Sequence, residues 1–164
     1  MRTLIVYDSA FGNTKKIAEA IFDVIDKNKD SKLYYVKDLE TIENGSYDLV
    51  IIGSPTQGFR PTKDTIAFLK NIPDRSLNNT RVAAFDTRIH LDQVNSKALR
   101  FMVDKGGYAA KPILKQLIKK GGESIAEPEG FYVEGEKGPL RENEIERAKE
   151  WAKSLVRIYD RTPM

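Results

Sequence analysis

The chain alternates short apolar runs with stretches in which apolar residues recur at helical spacing. Residues 4–7 and 47–54 are the clearest runs, and their β-branched residues are typical of strands buried on both faces. Weaker runs predict further strands over 32–36, 81–87 and 123–126. The last of these continues over 131–133, but Pro128 separates the two parts and predicts a break or an edge position. The pattern therefore predicts five strands.

Helical periodicity follows four of the five runs. The first helix carries one apolar stripe, formed by Ile17, Ala18, Ile21 and Ile25. The second begins after Thr62, a suitable N-cap residue, and ends before Pro73. Two more helices are predicted over 109–120 and 141–159, and a short one over 94–103. Strands that alternate with helices in this way predict an α/β domain with a parallel sheet and helices on both of its faces.

Polar loops follow the first, third and fourth predicted strands, over 8–13, over 55–61 and from Arg88 onward. The carboxyl ends of parallel strands meet at one edge of a sheet, and ligands of doubly wound proteins bind there. We therefore expect these three loops to form one site.

The first of these loops is a polar turn that leads directly into a helix. Ser9 to Thr14 offers two hydroxyls, a side-chain amide, a glycine and several backbone N–H groups. The start of a helix has unpaired donors and a partial positive charge, so this turn suits a phosphate group. The alternative is that Ser9, Asn13 and Thr14 only cap the helix.

Composition narrows the class of protein. The 164 residues are enough for one domain, spanning 1–164. Cysteine is absent, which excludes disulfides, thiolate chemistry and cysteine-bound metal centres. No apolar run approaches the roughly 20 residues of a membrane span, and a strand begins almost at once, leaving no room for a signal peptide. We therefore expect a cytoplasmic protein with no membrane partner.

The charge is mildly basic. The formal net charge is +3, the sequence pI is about 9.0, and the 27 cations are interleaved with 24 anions. The densest lysines fit the solvated face of one helix: Lys111, Lys115, Lys119 and Lys120. No aromatic residues alternate with them to stack on bases, so we expect no nucleic-acid partner.

Two loops indicate a family. The first loop lacks both the GxGxxG and the GxxxxGK[ST] phosphate-binding patterns. The third strand ends in Gly53 and Ser54 and not in the acidic residues of a receiver domain. The stretch 5–21 instead resembles the flavodoxin signature, at Tyr7, Ser9, Gly12, Thr14, Ala18 and Ile21. Residues 53–58 are similar to the second flavin loop of flavodoxin-like proteins.

The resemblance implies a flavodoxin-like α/β fold, a doubly wound five-stranded parallel sheet of order 2-1-3-4-5 with helices on both faces. It also implies FMN as cofactor, with the phosphate held by the first loop: Ser9, Ala10, Phe11, Gly12, Asn13 and Thr14. The second loop would lie along the flavin ring: Pro55, Thr56, Gln57, Gly58 and Phe59. The third would approach the pyrimidine edge of the ring: Thr87, Arg88 and His90.

Within these loops several roles stay open. Gly58 is expected near the flavin N5, and Phe59 either covers the ring or packs inward. Arg88 or His90 would stabilise the negative charge of reduced flavin, although a single loop histidine is more often a surface residue. Lys15 and Lys16 either add a cation to the phosphate or, as their helical spacing favours, face solvent. No residue is expected to be catalytic or to bind a metal.

The chain departs from electron-shuttle flavodoxins at several positions. Phe11 replaces a usual hydroxyl, Gln57 replaces a common aromatic residue, and the third loop lacks a stacking tyrosine unless Tyr108 folds back. Such shuttles are also strongly acidic, whereas the pI here is about 9.0. We expect phosphate binding to be kept and FMN affinity to be reduced.

Three hypotheses follow. The first is an FMN-binding protein that carries one or two electrons between a reduced donor and a partner protein or small-molecule acceptor. The second is an NAD(P)H-dependent quinone or flavin reductase on the same fold, which usually requires a homo-oligomer. The third is a flavin-free interaction module that keeps the fold and the phosphate loop.

Overall fold

A computed structural model describes residues 1–27, 29–90, 96–98, 100–101 and 107–162. The strands are β1 (Thr3–Tyr7), β2 (Lys32–Tyr35), β3 (Leu49–Pro55), β4 (Arg81–Ile89), β5 (Glu123–Ser124) and β6 (Glu129–Val133). The longer helices are α1 (Asn13–Ile25), α2 (Lys63–Asn71), α3 (Ala110–Lys119) and α4 (Glu144–Arg161), and a single 3₁₀ turn covers Val36–Asp38. Half of the helix predicted over 94–103 lies outside the described residues, and of the described half residues 97–98 and 100–101 are helical.

All described strands belong to one parallel sheet of order β2-β1-β3-β4-β5, which confirms the predicted order. The edge beyond β4 is shared by two short strands. β5 pairs with the start of β4, and β6 pairs with its end, from Phe85 opposite Glu129 to Ile89 opposite Val133. The predicted interruption near Pro128 is therefore real, and it divides one edge strand into two.

Helices cover both faces of the sheet, as predicted. On one face, Leu4 and Val6 of β1 belong to the core that α2 and α3 complete. On the other, Ile5 belongs to the core that α1 and α4 complete with residues such as Ile17 and Leu155. Burial on both faces explains why the central strands are continuously apolar and not alternating.

Two of the boundaries that differ from the predictions bear on the site. β4 extends to Ile89, so Arg88 lies in a strand and not in a loop. α4 begins at Glu144 and not at residue 141. The preceding residues stay with β6, because the Arg141 N–H donates to the Tyr132 carbonyl at 2.9 Å. Asn143 then turns the chain with a φ of 66°.

Among the described helices, none combines the length and the apolar character that crossing a membrane requires.

Candidate functional site

A cavity of about 550 Å³ opens at the carboxyl edge of the sheet, where the three loops meet. Its lining consists of Ser9, Ala10, Phe11, Asn13, Thr14, Pro55, Thr56, Gln57, Gly58, Thr87, Arg88, Ile89, Val133 and Glu136. Gly12, Phe59 and His90 are the predicted site residues that it does not include. A second cavity of about 530 Å³ lies at the opposite edge, between Arg2 and Tyr47, and contains none of the predicted residues.

The first loop presents unpaired backbone donors at the start of α1. Gly12 is the N-cap residue and has a φ of 91°, a left-handed conformation that favours glycine. Among the described hydrogen bonds, none gives a protein acceptor to the N–H groups of Ala10, Phe11, Asn13 or Thr14. Such a turn at a helix N-terminus binds anions.

The polar side chains of this loop already have partners within the protein. The Ser9 hydroxyl accepts from the N–H groups of Gly12 at 3.1 Å and Lys15 at 3.3 Å, so Ser9 does help to cap the helix. The hydroxyls of Thr14 and Thr87 lie 2.7 Å apart and join α1 to the end of β4. The Asn13 amide donates to the Lys137 carbonyl at 3.2 Å. These contacts fix the shape of the loop.

Asp8 is a buried carboxylate directly behind the loop, and it was not among the predicted site residues. It accepts from the Ser9 N–H at 2.7 Å and from the Thr62 hydroxyl at 2.5 Å. Thr62 caps α2 as predicted, because its hydroxyl oxygen accepts from the Thr65 N–H. Since the one Thr62 proton points to Asp8, the Thr65 hydroxyl must donate in the 2.8 Å contact between the two threonines. Asp8 thus places a negative charge beside the anion-binding turn.

The second loop is a tight hairpin. Gly58 and Phe59 have φ values of 55° and 64°, and the Gln57 and Arg60 backbones exchange hydrogen bonds of 2.9 and 3.2 Å. Two consecutive residues with positive φ are typical of a type I′ turn. A left-handed conformation is rare for an aromatic residue, so Phe59 is held there by its surroundings. Phe59 is half-buried beside the cavity, and Gly58 faces into it.

At the end of β4, Arg88 is bound by a buried acid. Its guanidinium donates two hydrogen bonds to the Asp86 carboxylate, at 2.6 and 2.7 Å, and lies 3.8 Å from the centre of the Tyr108 ring. Asp86 is fully buried and also accepts from the Ala110 N–H at 2.8 Å. Burial raises the pKa of Asp86, against the opposing effect of Arg88. The Arg88 guanidinium is thus paired with a protein carboxyl group before any ligand binds.

Gly130 makes room for Arg88 at this edge, whereas His90 lies outside the cavity lining. Gly130 of β6 leaves room for the guanidinium, since a Cβ there would lie 2.1 Å from the Arg88 Nε. The His90 ring lies 4.7 Å from the Tyr132 ring, away from the cavity lining. The Asp86–Arg88 pair had a sequence signal, because residues two apart on a strand lie on the same face.

Residues 134–140, between β6 and α4, lie over the first loop, and the sequence did not predict this. Gly138, with a φ of 100°, packs against Asn13, where a Cβ would come within 2.7 Å of the amide. Glu136 lines the cavity. The available signal was the pair Gly135 and Gly138 within a charged segment, which indicates close backbone approach without naming its partner.

Lys15 and Lys16 are exposed, and Lys15 lies 3.8 Å from Glu19. The two lysines therefore face solvent on α1, as their spacing favoured. Within the described part of the chain, no cluster of side chains could hold a metal ion. Together the loops present unpaired amide donors at one end of a cavity and backbone, aliphatic and guanidinium groups along it. This arrangement suits an elongated ligand with a phosphate at one end.

Comparison with known proteins agrees with this geometry. The family model described as "Flavodoxin domain" matches residues 4–122. The Flavodoxin-like domain-containing protein BilS of Clostridioides difficile (strain CD3) is 30% identical over 151 residues, which are 87% of this chain and 73% of that protein.

Solved structures share the fold. Oxidised Flavodoxin 2 of Bacillus cereus superposes with a TM-score of 0.71 at 21% identity, covering 97% of this chain and 100% of that one. Oxidised Flavodoxin 1 of the same organism gives a TM-score of 0.70 at 18% identity, covering 96% and 98%. A WrbA-like flavodoxin of Agrobacterium tumefaciens gives 0.64 at 14%, covering 98% of each.

Proposed function

This chain belongs to the flavodoxin family, and from that premise we propose that it binds FMN and carries one or two electrons between a reduced donor and a protein or small-molecule acceptor. The observation that carries the proposal is the set of unpaired N–H groups of Ala10, Phe11, Asn13 and Thr14 at the mouth of the cavity. They are suited to the phosphate of a cofactor, because such groups at a helix N-terminus bind anions.

The residues present fit the cofactor. The cavity of about 550 Å³ lies within the roughly 300–1,000 Å³ usual for cofactor sites. Gly12 has open space where a Cβ would stand, so the phosphate can approach the backbone. The first loop would hold the phosphate, Pro55 to Gly58 would lie along the ring, and Ile89 and Val133 would exclude water from it.

When bound, the flavin supplies the redox chemistry, and the protein contributes position and electrostatics. Gly58 lines the cavity and would offer its backbone groups to the ring without a side chain in the way. Arg88 faces the same cavity with its charge balanced by Asp86, so it favours added negative charge on the ligand less than a free arginine would. We therefore expect this chain to tune its flavin mainly through the backbone of the second loop.

Titration with FMN tests the binding step. We expect the flavin absorption bands to shift and the flavin fluorescence to be quenched on adding the protein freed of flavin. A spectrum identical to that of free FMN, with undiminished fluorescence, would end the proposal.

The transfer step needs a separate assay. The FMN complex, reduced anaerobically, should return its electrons stoichiometrically to ferricyanide. It should show no steady NADH oxidation with a quinone. Steady turnover by a dimer or tetramer would favour the reductase hypothesis over a carrier.

One set of contacts favours the flavin-free interaction module as the second candidate. Ser9, Asn13 and Thr14 already have partners within the protein, and the Phe11 side chain is 50% exposed at the cavity rim. A crystal soaked with FMN that holds only sulfate or phosphate at the first loop would support this candidate.

A further inference from the structure

A fixed segment, residues 134–140, covers the first loop from the side of β6. Its own backbone is held by hydrogen bonds from Glu134 N–H to the Pro139 carbonyl, 2.8 Å, and from Gly138 N–H to the Gly135 carbonyl, 3.0 Å. It is attached to α1 by the hydrogen bond from Asn13 to the Lys137 carbonyl. We call it the covering segment. These hydrogen bonds fix the backbone of the covering segment, so its side chains start from defined positions near the first loop.

The covering segment brings one cation to the first loop. The Lys137 ammonium lies 5.9 Å from the centre of the Phe11 ring, within the range of a cation–π contact. Phe11 itself lines the cavity. Within the described chain no carboxylate lies within salt-bridge distance of Lys137, whereas Lys15 lies 3.8 Å from Glu19 and Arg88 is bound to Asp86.

A phosphate at this site would benefit from a neighbouring cation, because two carboxylates lie close by. Asp8 is a buried carboxylate one residue from Ser9 and opposes the approach of an anion. Glu136 adds a second carboxylate to the cavity lining. The Phe11 side chain supplies no hydrogen bond to a phosphate. A neighbouring ammonium would offset these costs through a charge-assisted contact.

We propose that Lys137 is a phosphate-binding residue of this site, which leaves the face of Phe11 and pairs with the FMN phosphate when the cofactor binds. The inference rests on the proposed function. The flexible four-carbon stem of a lysine lets the ammonium change its place while the backbone stays fixed. Phe11 then holds the ammonium close to the site in the free protein, and Lys137 makes the site select the phosphorylated flavin.

Affinities for FMN and riboflavin, measured by fluorescence quenching at low salt, test this role. We expect Lys137→Gln to weaken FMN binding about tenfold and to leave riboflavin binding unchanged, because only FMN carries the phosphate. Lys137→Arg should restore most of the FMN affinity. Lys16→Gln is the matched control, since it removes an exposed lysine from the first turn of α1 and should change FMN binding by less than about twofold.

Each contrary outcome has a distinct meaning. Equal FMN affinities for the Lys137→Gln and Lys16→Gln variants would overturn the role of Lys137 while leaving FMN binding intact. A parallel loss of riboflavin affinity would also overturn it, because the effect would then lie at the ring. If the unaltered protein binds neither flavin, the proposed function fails first and this inference with it. Lys137 is exposed, so unchanged melting temperatures should show that the variants fold.

Discussion

The Phe11 ring occupies a position at which the flavodoxin signature commonly has a hydroxyl, and half of its surface is exposed at the cavity rim. It cannot donate a hydrogen bond to a phosphate, but it can hold the Lys137 ammonium nearby. In place of a neutral hydroxyl donor, this chain therefore has the Phe11 ring with the Lys137 ammonium beside it.

Substitutions of Phe11 measure how much FMN affinity is lost because a hydroxyl is absent at this position. We expect Phe11→Ser to bind FMN about tenfold more tightly than Phe11→Ala, since the two variants differ by a hydroxyl that reaches a charged phosphate. Isothermal titration calorimetry of both variants measures the difference. Equal affinities would mean that position 11 does not face the phosphate.

Gly12 has a backbone conformation that an added methyl group would strain without meeting any protein atom. Its φ is 91° and nothing lies within 4 Å of a Cβ placed there, so Gly12→Ala should cost about 1–2 kcal/mol of stability through strain alone. It should also weaken FMN binding, because the neighbouring N–H groups would turn away. Gly45→Ala is the matched control, with a φ of 73° and equally open space far from the cavity.

Urea unfolding and FMN titration separate the two effects. We expect both variants to lose similar stability and only Gly12→Ala to lose FMN affinity. Equal affinity in the two variants would remove Gly12 from the phosphate site.

At the scale of elements, the covering segment and the strand ends build the site together. β4 carries Thr87 and Arg88 to the cavity, α1 carries Thr14, and the hydroxyls of Thr14 and Thr87 meet at 2.7 Å. The strand runs and the helix stripe predicted these elements because each depends on residues close in sequence. The contact between Asn13 and Lys137 joins residues 124 positions apart, and no local pattern encodes it.

The predicted start of α4 was wrong because a contact with another element, and not the local sequence pattern, determines it. Helical spacing extends back to residue 141, but Arg141 pairs with the Tyr132 carbonyl of β6, and the helix starts only after Asn143. A hydrogen bond to a neighbouring strand outweighed local helix propensity. Phe59 is similar, because only the hairpin geometry explains its positive φ.

The covering segment should respond to a single methyl group. Gly138→Ala would bring a Cβ within 2.7 Å of the Asn13 amide at a φ of 100°, and we expect a loss of about 1–3 kcal/mol of stability. FMN affinity should fall as the segment lifts. Gly135→Ala, whose Cβ would meet only a carbonyl oxygen at 3.8 Å, should be tolerated. Chemical denaturation and FMN titration of both variants provide the measurement, and equal behaviour would contradict the packing described for Gly138.

For the whole molecule, the sheet order and the two-sided core could be predicted because the central strands are apolar on both faces and the turn 9–14 matches a known signature. The positions of the charged side chains around the cavity could not be predicted. Asp8, Asp86 and Glu136 approach the cavity only in the folded chain, and the balance between them, Arg88 and Lys137 depends on side-chain contacts. The single domain over 1–164 stays a prediction.

Ligand binding should stabilise the whole chain. At a free FMN concentration of about 100 times Kd, binding adds about 2.7 kcal/mol, which corresponds to a rise of about 5–10 °C in melting temperature for a chain of this size. Thermal unfolding followed by circular dichroism measures the rise. Riboflavin at the same concentration should give a smaller one, since it lacks the phosphate. No rise with FMN at saturating concentration would contradict binding to the folded state.

The most direct measurement follows the backbone amide resonances of the first loop by two-dimensional ¹H–¹⁵N NMR as flavin is added. With FMN, we predict that the amide signals of Ala10, Phe11, Asn13 and Thr14 shift strongly downfield as their N–H groups bind the phosphate. Riboflavin should move the signals of Gln57 and Gly58 but leave those four nearly in place. If FMN leaves the four signals unmoved, the turn from Ser9 to Thr14 is not a phosphate site and the account is wrong.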